Sequence, residues 1–489
     1  MSHGRAMGWL ADEATDRIAV IHGEDRITRG ELERRSNRLA RAYAERGVGP
    51  GALVTLGLPN GIEFLAATLA VWKLGACPQP ISARLPERER RAIVELAKPA
   101  LIVGVAAGEY GDAFPRVQLG FVPEAAASDA PLPDVVPPNV RTMTSGGSTG
   151  QPKLIVDLTP ALVDPTVAEN GMQLRGTTLV PGPLYHAGPF IVSWQCLLSG
   201  GTLILMTRFD PEECLCAIES HRVDWALFVP TMMQRIWKLP AELRGRYDLS
   251  SLRRVMCTGA PSPAWLKRAW IEWIGPDKIW ESYGGTERIA GTLISGTEWL
   301  AHPGSVGKPP PERKMKILRP DGSACAAGEV GEIYMLPAAG RGTTYRYIGA
   351  EAEATPDGYE SVGDMGWLDA DGYLFLADRK TDMVLVGGSN VYPAEIEAAL
   401  DAHPAVRSSA VIGLPDEDLG NRLHAIVDAP GGITEDALRA HLAERLVVYK
   451  IPKSFELVSE PLRDDAGKIR RSALREARLA QRGGSAGSL

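Results

Sequence analysis

The sequence predicts an α/β protein with a large N-terminal unit and a smaller C-terminal one, on three observations. The chain has 489 residues, and single hydrophobic cores stop growing at about 250–300 residues, so more than one core is required. Short apolar runs alternate with amphipathic helical stretches up to Trp273, the texture of largely parallel sheets covered on both faces. From about Ser305 to Phe375 that alternation gives way to short strands separated by Gly, Pro and Asp turns, and it restarts beyond Arg379.

Thr28 stands three residues before Glu31, a capping-box spacing, and Leu32, Leu39, Ala40 and Tyr43 then fall on one face of a helix ending near Gly47. A strand over 52–58, a helix over 62–74 and a strand over 101–105 follow. Further strand and helix pairs are expected at 203–206 and 211–221, at 225–229 and 231–238, and at 255–258 and 264–273. The turns Arg319-Pro320-Asp321-Gly322 and Asp369-Ala370-Asp371-Gly372 mark a small β region that makes the N-terminal sheets mixed overall. In the last unit the expected elements are a helix at 391–402, a strand at 406–414, a helix at 434–445 and a strand at 454–458. The Gly/Ser-rich end from Arg482 to Leu489 is expected to be disordered. These readings divide the chain into 1–378 and 379–489.

Composition narrows the functional classes. Hydrophobic residues make up 45% and charged residues 23%, with a net charge of −7 whose acids are dispersed among bases, so no positive field exists to hold a nucleic acid. Six scattered cysteines form no Cys-x-x-Cys pair and suit a reduced cytoplasm. The apolar stretch at Met7–Ala11 is cut by Asp12 and Glu13 and lacks a signal peptide's core. The apolar stretch from Phe64 to Ile81 holds Lys73 and ends in Pro and Cys, which suits a buried helix and strand rather than a membrane span. A monomer or homodimer acting on small molecules is expected.

The strongest local signal is Thr144-Ser145-Gly146-Gly147-Ser148-Thr149-Gly150-Gln151-Pro152-Lys153. Glycines let backbone approach a polyanion, hydroxyls add donors, and lysine supplies a point charge. It is not a Walker loop, because Lys153 follows a proline rather than lying between Gly and Ser/Thr. Further along stand Thr258-Gly259-Ala260-Pro261, Glu281-Ser282-Tyr283-Gly284-Gly285-Thr286-Glu287, Ser361-Val362-Gly363-Asp364, Asp378-Arg379-Lys380-Thr381-Asp382, Gly387-Gly388-Ser389-Asn390 and Asp465-Ala466-Gly467-Lys468.

In their order and nearly along its whole length, these segments resemble the adenylate-forming superfamily. That group includes acyl- and aryl-CoA ligases, adenylation domains of peptide synthetases, firefly luciferase and stand-alone amide synthetases. Departures from the usual pattern are Gly146 where serine is common, Leu154 where glycine is common, and Thr381 at a hinge position usually Asp or Lys. The resemblance implies that Ser145 to Gly150 and Lys153 hold the triphosphate of ATP, and that Gly259, Ala260, Pro261, Glu281, Ser282 and Tyr283 surround the adenine. It implies that Thr286 meets the α-phosphate, Glu287 helps hold Mg2+, and Asp364 and Arg379 take the ribose. A hard cation bridging phosphates neutralises charge as pyrophosphate departs, and an ionised carboxylate has acceptor oxygens for both ribose hydroxyls.

Lys468 is then the first catalytic candidate, since a cation between carboxylate and α-phosphate relieves repulsion between two anions. The resemblance implies that it arrives on a small mobile domain, whose Gly388 loop lines the tunnel for coenzyme A. His186, in Leu184-Tyr185-His186-Ala187-Gly188-Pro189, is expected to orient the acid or assist the nucleophile. Phe190, Trp194, Gly259, Gly284, Gly285 and Ile289 are expected to line the acid pocket. The glycine-rich spelling is similar to that of bacterial ligases for aromatic or steroid-like acids. Arg407, Arg422, Lys450 and Lys453 are candidates for a local basic cluster that meets an anionic co-substrate. Three activities fit: acyl transfer to coenzyme A, acyl transfer to a free amine, and non-catalytic nucleotide binding. The last is weakened by the joint presence of Thr286, Glu287, Asp364, Arg379 and Lys468.

Overall fold

Local chemistry sets the first long helix. In the computed structural model, which describes residues 1–106, 110, 113–124, 126–146, 152–464 and 467–485, Thr28 accepts the Glu31 N–H while Glu31 accepts the Thr28 N–H. This reciprocal cap opens the helix Arg29–Ala44. Leu32, Leu39, Ala40 and Tyr43 lie buried along its inner face. The helix Ile62–Lys73 is apolar on almost every side and is buried accordingly. Lys73 at its end is neutralised by Glu33 and donates a hydrogen bond to Asn37 rather than being left in the core alone.

The large unit contains an eight-stranded sheet. Its order is Gly291–Ser295, Ile279–Gly284, Arg254–Cys257, Trp225–Phe228, Thr177–Val180, Thr202–Leu205, Ile18–His22 and Asp25–Thr28. Every central pair is parallel and both edge pairs are antiparallel. A second, all-parallel sheet holds Cys77–Pro80, Leu53–Leu56, Leu101–Val103 and Arg116–Val117. Parallel strands point their carboxyl ends to one edge, where open α/β sheets bind ligands. The residues just beyond those ends are 181–186, 229–231, 258–261 and 285–287, and the candidate site is built there.

The β region is antiparallel, as its turns predict. Lys314–Leu318, Gly331–Leu336 and Glu360–Leu368 run side by side, with Leu374–Arg379 paired to the last. One connection was not expected. The strand Tyr345–Ile348 leaves this region to pair with Pro152–Asp157, which pairs in turn with Thr142–Gly146.

The smaller unit has its own core, including Val391, Ile396, Leu400, Val411, Ala425 and Leu438. Its sheet joins Ser408–Asp416 antiparallel to Gly420–Asp428, which is parallel to Ser454–Val458. The closing helix Arg471–Ser485 enters the tail that was expected to be disordered, because Leu474 and Leu479 give it an apolar side to pack against Ile412, Leu414 and Ile426. Among the described residues, no helix is long and apolar enough to cross a membrane.

Candidate active site

Two clusters of charge face each other at the sheet edge. In the first, the Tyr283 hydroxyl donates to Asp364 Oδ2 at 2.9 Å, and Arg379 Nε lies 3.4 Å from Asp364 Oδ1. Burial pushes the Asp364 carboxyl up, opposed by Arg379 and by the tyrosine hydrogen bond. The Arg379 side chain is 63% exposed. The guanidinium end of this pair is solvated and remains available to a ligand. In the second cluster, Lys153 Nζ lies 3.7 Å from Glu287 Oε1 and 3.9 Å from the Tyr347 ring centroid, and Tyr347 donates to Glu287 Oε1 at 2.6 Å. Burial draws the Lys153 pKa down, and Glu287 opposes it.

The Glu287 carboxylate lies close against the backbone that precedes it. A Cβ added at Gly285 would stand 2.8 Å from Glu287 Oε2, so a side chain there would push that carboxylate aside. Thr286 lies in the same turn. Ahead of it, Thr258 donates to the Ser282 carbonyl at 3.0 Å, tying the Gly259–Pro261 turn to the strand Ile279–Gly284. Gly259 has φ +90° there, a backbone region glycine enters without a Cβ clash.

From the smaller unit, a tight turn brings in Lys468. Asp464 Oδ1 accepts the Lys468 N–H, the Asp464 N–H donates to the Lys468 carbonyl, and Gly467 packs against Thr231 of the large unit. The residue as a whole is exposed, yet its ammonium is crowded by protein atoms. Burial and then Arg379 lower its pKa, while Asp464 and Glu287 raise it. His186 feels the same charge: burial first, then Lys468, push its pKa down to about 3, so the imidazole is neutral at pH 7. Its Nε2 is buried with no hydrogen bond to the described residues. Lys468 thus lies within electrostatic reach of His186, Glu287 and Arg379, residues far from one another in the sequence.

A fold of this topology with these residues gathered at one edge matches the AMP-binding enzyme pattern over residues 9–347 and its C-terminal domain over 395–468. The chain belongs to the AMP-binding enzyme family. A feruloyl-CoA synthase from an Amycolatopsis species is 34% identical over 94% of this chain and 95% of its own length. The o-succinylbenzoate CoA synthetase of Bacillus subtilis, solved with ATP and a magnesium ion, superposes with a TM-score of 0.80 at 26% identity, covering 96% of this chain and 98% of that one. The amide bond synthetase McbA of Marinactinospora thermotolerans gives a TM-score of 0.80 at 26% identity, over 98% of this chain and 100% of that one.

Not every residue expected at the site lies with these clusters. Glu281 points into the core, where Lys267 on the helix Ala264–Ile274 donates to it at 2.6 Å and the Ser262 backbone also bonds it. Both side chains of that pair are 4% exposed or less. Breaking such a buried pair costs about 3–5 kcal/mol, so this carboxylate shapes the 258–262 turn and is not free for a nucleotide. Phe190 and Trp194 pack against Trp72 in the N-terminal core, with ring centroids at 6.0 and 4.5 Å. Ile289 is buried with Ile155, Val306 and Ile333. Gly388 sits on an exposed hairpin of the smaller unit with nothing within 4 Å of an added Cβ.

The expected basic cluster is not a free one, since Arg407 pairs with Asp428, Lys450 with Glu395 and Lys453 with Asp416, at 2.6, 2.6 and 4.0 Å. Gly147, Ser148, Thr149 and Gly150 of the phosphate loop lie outside the described residues, whereas Ser145 and Gly146 end the strand that leads into it. Sequence reasoning missed Tyr347, Lys267 and Asp157. None belongs to a motif, and only strand pairing and helix packing bring them to the residues they hold.

Proposed function

We propose that the chain activates a carboxylic acid with ATP and passes the acyl group to coenzyme A. In the first step a carboxylate oxygen of the acid attacks the α-phosphorus of ATP, an acyl–O–P bond forms, and the bond to pyrophosphate breaks. Lys468 lies between the two anions and offsets their repulsion. Tyr283 and Asp364 receive the nucleoside, and Lys153 and the 145–150 loop receive the triphosphate. Glu287 offers a hard, nearly buried oxygen ligand, and a bound Mg2+ there supplies neutralisation of phosphate charge. In the second step the thiol attacks the acyl carbonyl and AMP leaves. The neutral His186 beside Lys468 orients the acid or takes the thiol proton. The observation that carries this reading is Lys468 of the smaller unit within charge range of Glu287 of the large one.

We propose a flat aromatic acid as substrate. The supports are the feruloyl and succinylbenzoyl names of the relatives and the absence of side chains at Gly188, Gly259 and Gly284. We assign the unit boundary to residues 378/379, with Thr381 as the hinge and Gly388 reaching the site only after the smaller unit turns. The six free thiols and the net charge of −7 favour a cytoplasmic enzyme of small molecules, not of nucleic acids, acting as a monomer or homodimer. Transfer to an amine is the second reading, favoured by the full-length similarity to McbA. A pyrophosphate-release screen over aliphatic, aromatic and polycyclic acids, each with coenzyme A or a simple amine, tests both. Pyrophosphate is expected with an aromatic acid, and AMP formation with none of the acids would refute adenylation.

A further inference from the structure

Glu287 is followed by a residue in an unusual conformation. Arg288 has φ +54°, in the left-handed region that a residue with a Cβ keeps only when its surroundings hold it there. What holds it is its own side chain. Arg288 Nη1 donates to Asp157 Oδ2 at 3.3 Å and to Thr159 Oγ1 at 3.1 Å. Asp157 is itself immobilised: it is 2% exposed, Arg141 Nη2 lies 2.6 Å from the same Oδ2, and the Thr159 N–H bonds Oδ1 at 3.0 Å.

The strand geometry gives this contact its meaning. Asp157 ends the strand Pro152–Asp157, and strand alternation puts it on the same face as Lys153, four residues earlier. On the paired strand Tyr347 stands opposite Ile155, and Tyr345 opposite Asp157. The 285–288 turn therefore docks at two points on one sheet face. Glu287 rests on Lys153 and Tyr347, and Arg288 on Asp157 and Thr159. Between them lies one peptide, whose orientation also fixes the direction of the Glu287 carboxylate.

We propose that Arg288 is a positioning residue: its strap to Asp157 and Thr159 holds the left-handed turn that aims Glu287 at the metal bound with ATP. The inference rests on Glu287 as the magnesium ligand, and it carries a sign that separates it from simple electrostatics. Removing a cation near a divalent ion strengthens metal binding by charge alone. Losing the strap weakens it, because the ligand is no longer pre-aligned, and supporting partners of metal ligands are worth about 10–100-fold in affinity.

The test uses Arg288→Ala, Arg288→Gly and Arg288→Lys, with Thr159→Val as a milder cut on the other side of the strap. Two quantities are measured: the Mg2+ concentration for half-maximal pyrophosphate release, and ATP binding by calorimetry with Mg2+ and with chelator. The Arg288 side chain is 41% exposed, so the variants are expected to fold. The Ala variant should need about 10-fold more Mg2+ and bind ATP normally in chelator, and Gly, which takes the left-handed turn without strain, should need a smaller increase than Ala. Lys should recover part of the shift, and Thr159→Val should show a smaller one. A Mg2+ requirement in Arg288→Ala within twofold of the parent, or below it, overturns the proposal. Glu287→Gln run alongside separates the two levels: if it too leaves Mg2+ dependence unchanged, the reading of Glu287 as a ligand fails; if it alone shifts, only the strap fails.

Discussion

The two halves of the site are held by different means. On the large unit, each functional side chain is braced by a neighbour from another sheet: Tyr283 on Asp364, and Glu287 on Tyr347 and Lys153. On the smaller unit, Lys468 has no such brace for its ammonium among the described residues, and the precision lies in the turn beneath it. Arg463 Nη1 donates to the Gly467 carbonyl at 3.1 Å, and Arg471 makes a two-pronged bond to Glu397 at 3.0 and 2.7 Å. Arg471 also reaches Asp382 at 2.6 Å, just past Thr381. Arg463 lies 3.7 Å from the same Glu397, so one buried carboxylate collects both arginines flanking the lysine turn. In the proposed reading the braced half receives ATP, and the other half delivers a charge from a platform tied together by Glu397.

The sharpest break of that comparison is Lys468→Ala. Adenylation, followed by ATP–pyrophosphate exchange, should fall by about 10²–10³-fold or more, as it does when a transition-state charge partner is removed. Consumption of a supplied acyl-adenylate should persist, and a parallel loss of both steps would mean that the lysine serves the fold. Gly388→Trp should do the converse. Exchange is retained while transfer to coenzyme A falls by about 10²-fold, in line with a substrate displaced by an ångström or more. Equal loss of both half-reactions would argue against a tunnel through this hairpin. Glu397→Gln probes the platform itself. It keeps the volume and removes the charge shared by Arg463 and Arg471, and should slow exchange about 10-fold while ATP binding stays normal. An unchanged exchange rate would mean that the turn needs no such anchor.

The same contrast explains what was legible in the sequence. Helix caps, strand alternation and turn residues are local, so the helix Arg29–Ala44 and the alternating elements after it could be read with ends off by a residue or two. Motif residues were legible as chemistry because each needs a particular side chain next to glycines. What escaped is what arrives from elsewhere. Tyr347, Lys267, Asp157 and Glu397 look like ordinary strand or helix residues, and their partners are 14 to 131 positions away. Glu281 was read as a nucleotide contact because it lies inside a motif, yet alternation along Ile279–Gly284 turns it under the helix Ala264–Ile274, where Lys267 waits. Phe190 and Trp194 were assigned to a pocket from their closeness to His186, but they sit on the helix face that packs on Trp72.

The smallest effect tests the point where the halves meet. His186 belongs to the braced half, but its pKa of about 3 is set by burial and, after that, by Lys468. A histidine held neutral in the native state and free to protonate at 6.5 when unfolded is neutral in both states above pH 6.5. Below that, the unfolded chain takes up a proton the native state refuses, so stability falls progressively from pH 6.5 toward 3. Near pH 5 this one group accounts for about 2 kcal/mol. His186→Ala should therefore flatten part of the acid limb of a urea-denaturation pH series, while raising the KM for the acid several-fold and leaving ATP affinity unchanged. Lys468→Ala should recover a smaller part of the same stability, because only the second cause of the shift is removed. If Lys468→Ala leaves the acid limb as it was, the two residues do not sense one another, and the smaller unit does not rest over the site in solution as it does here.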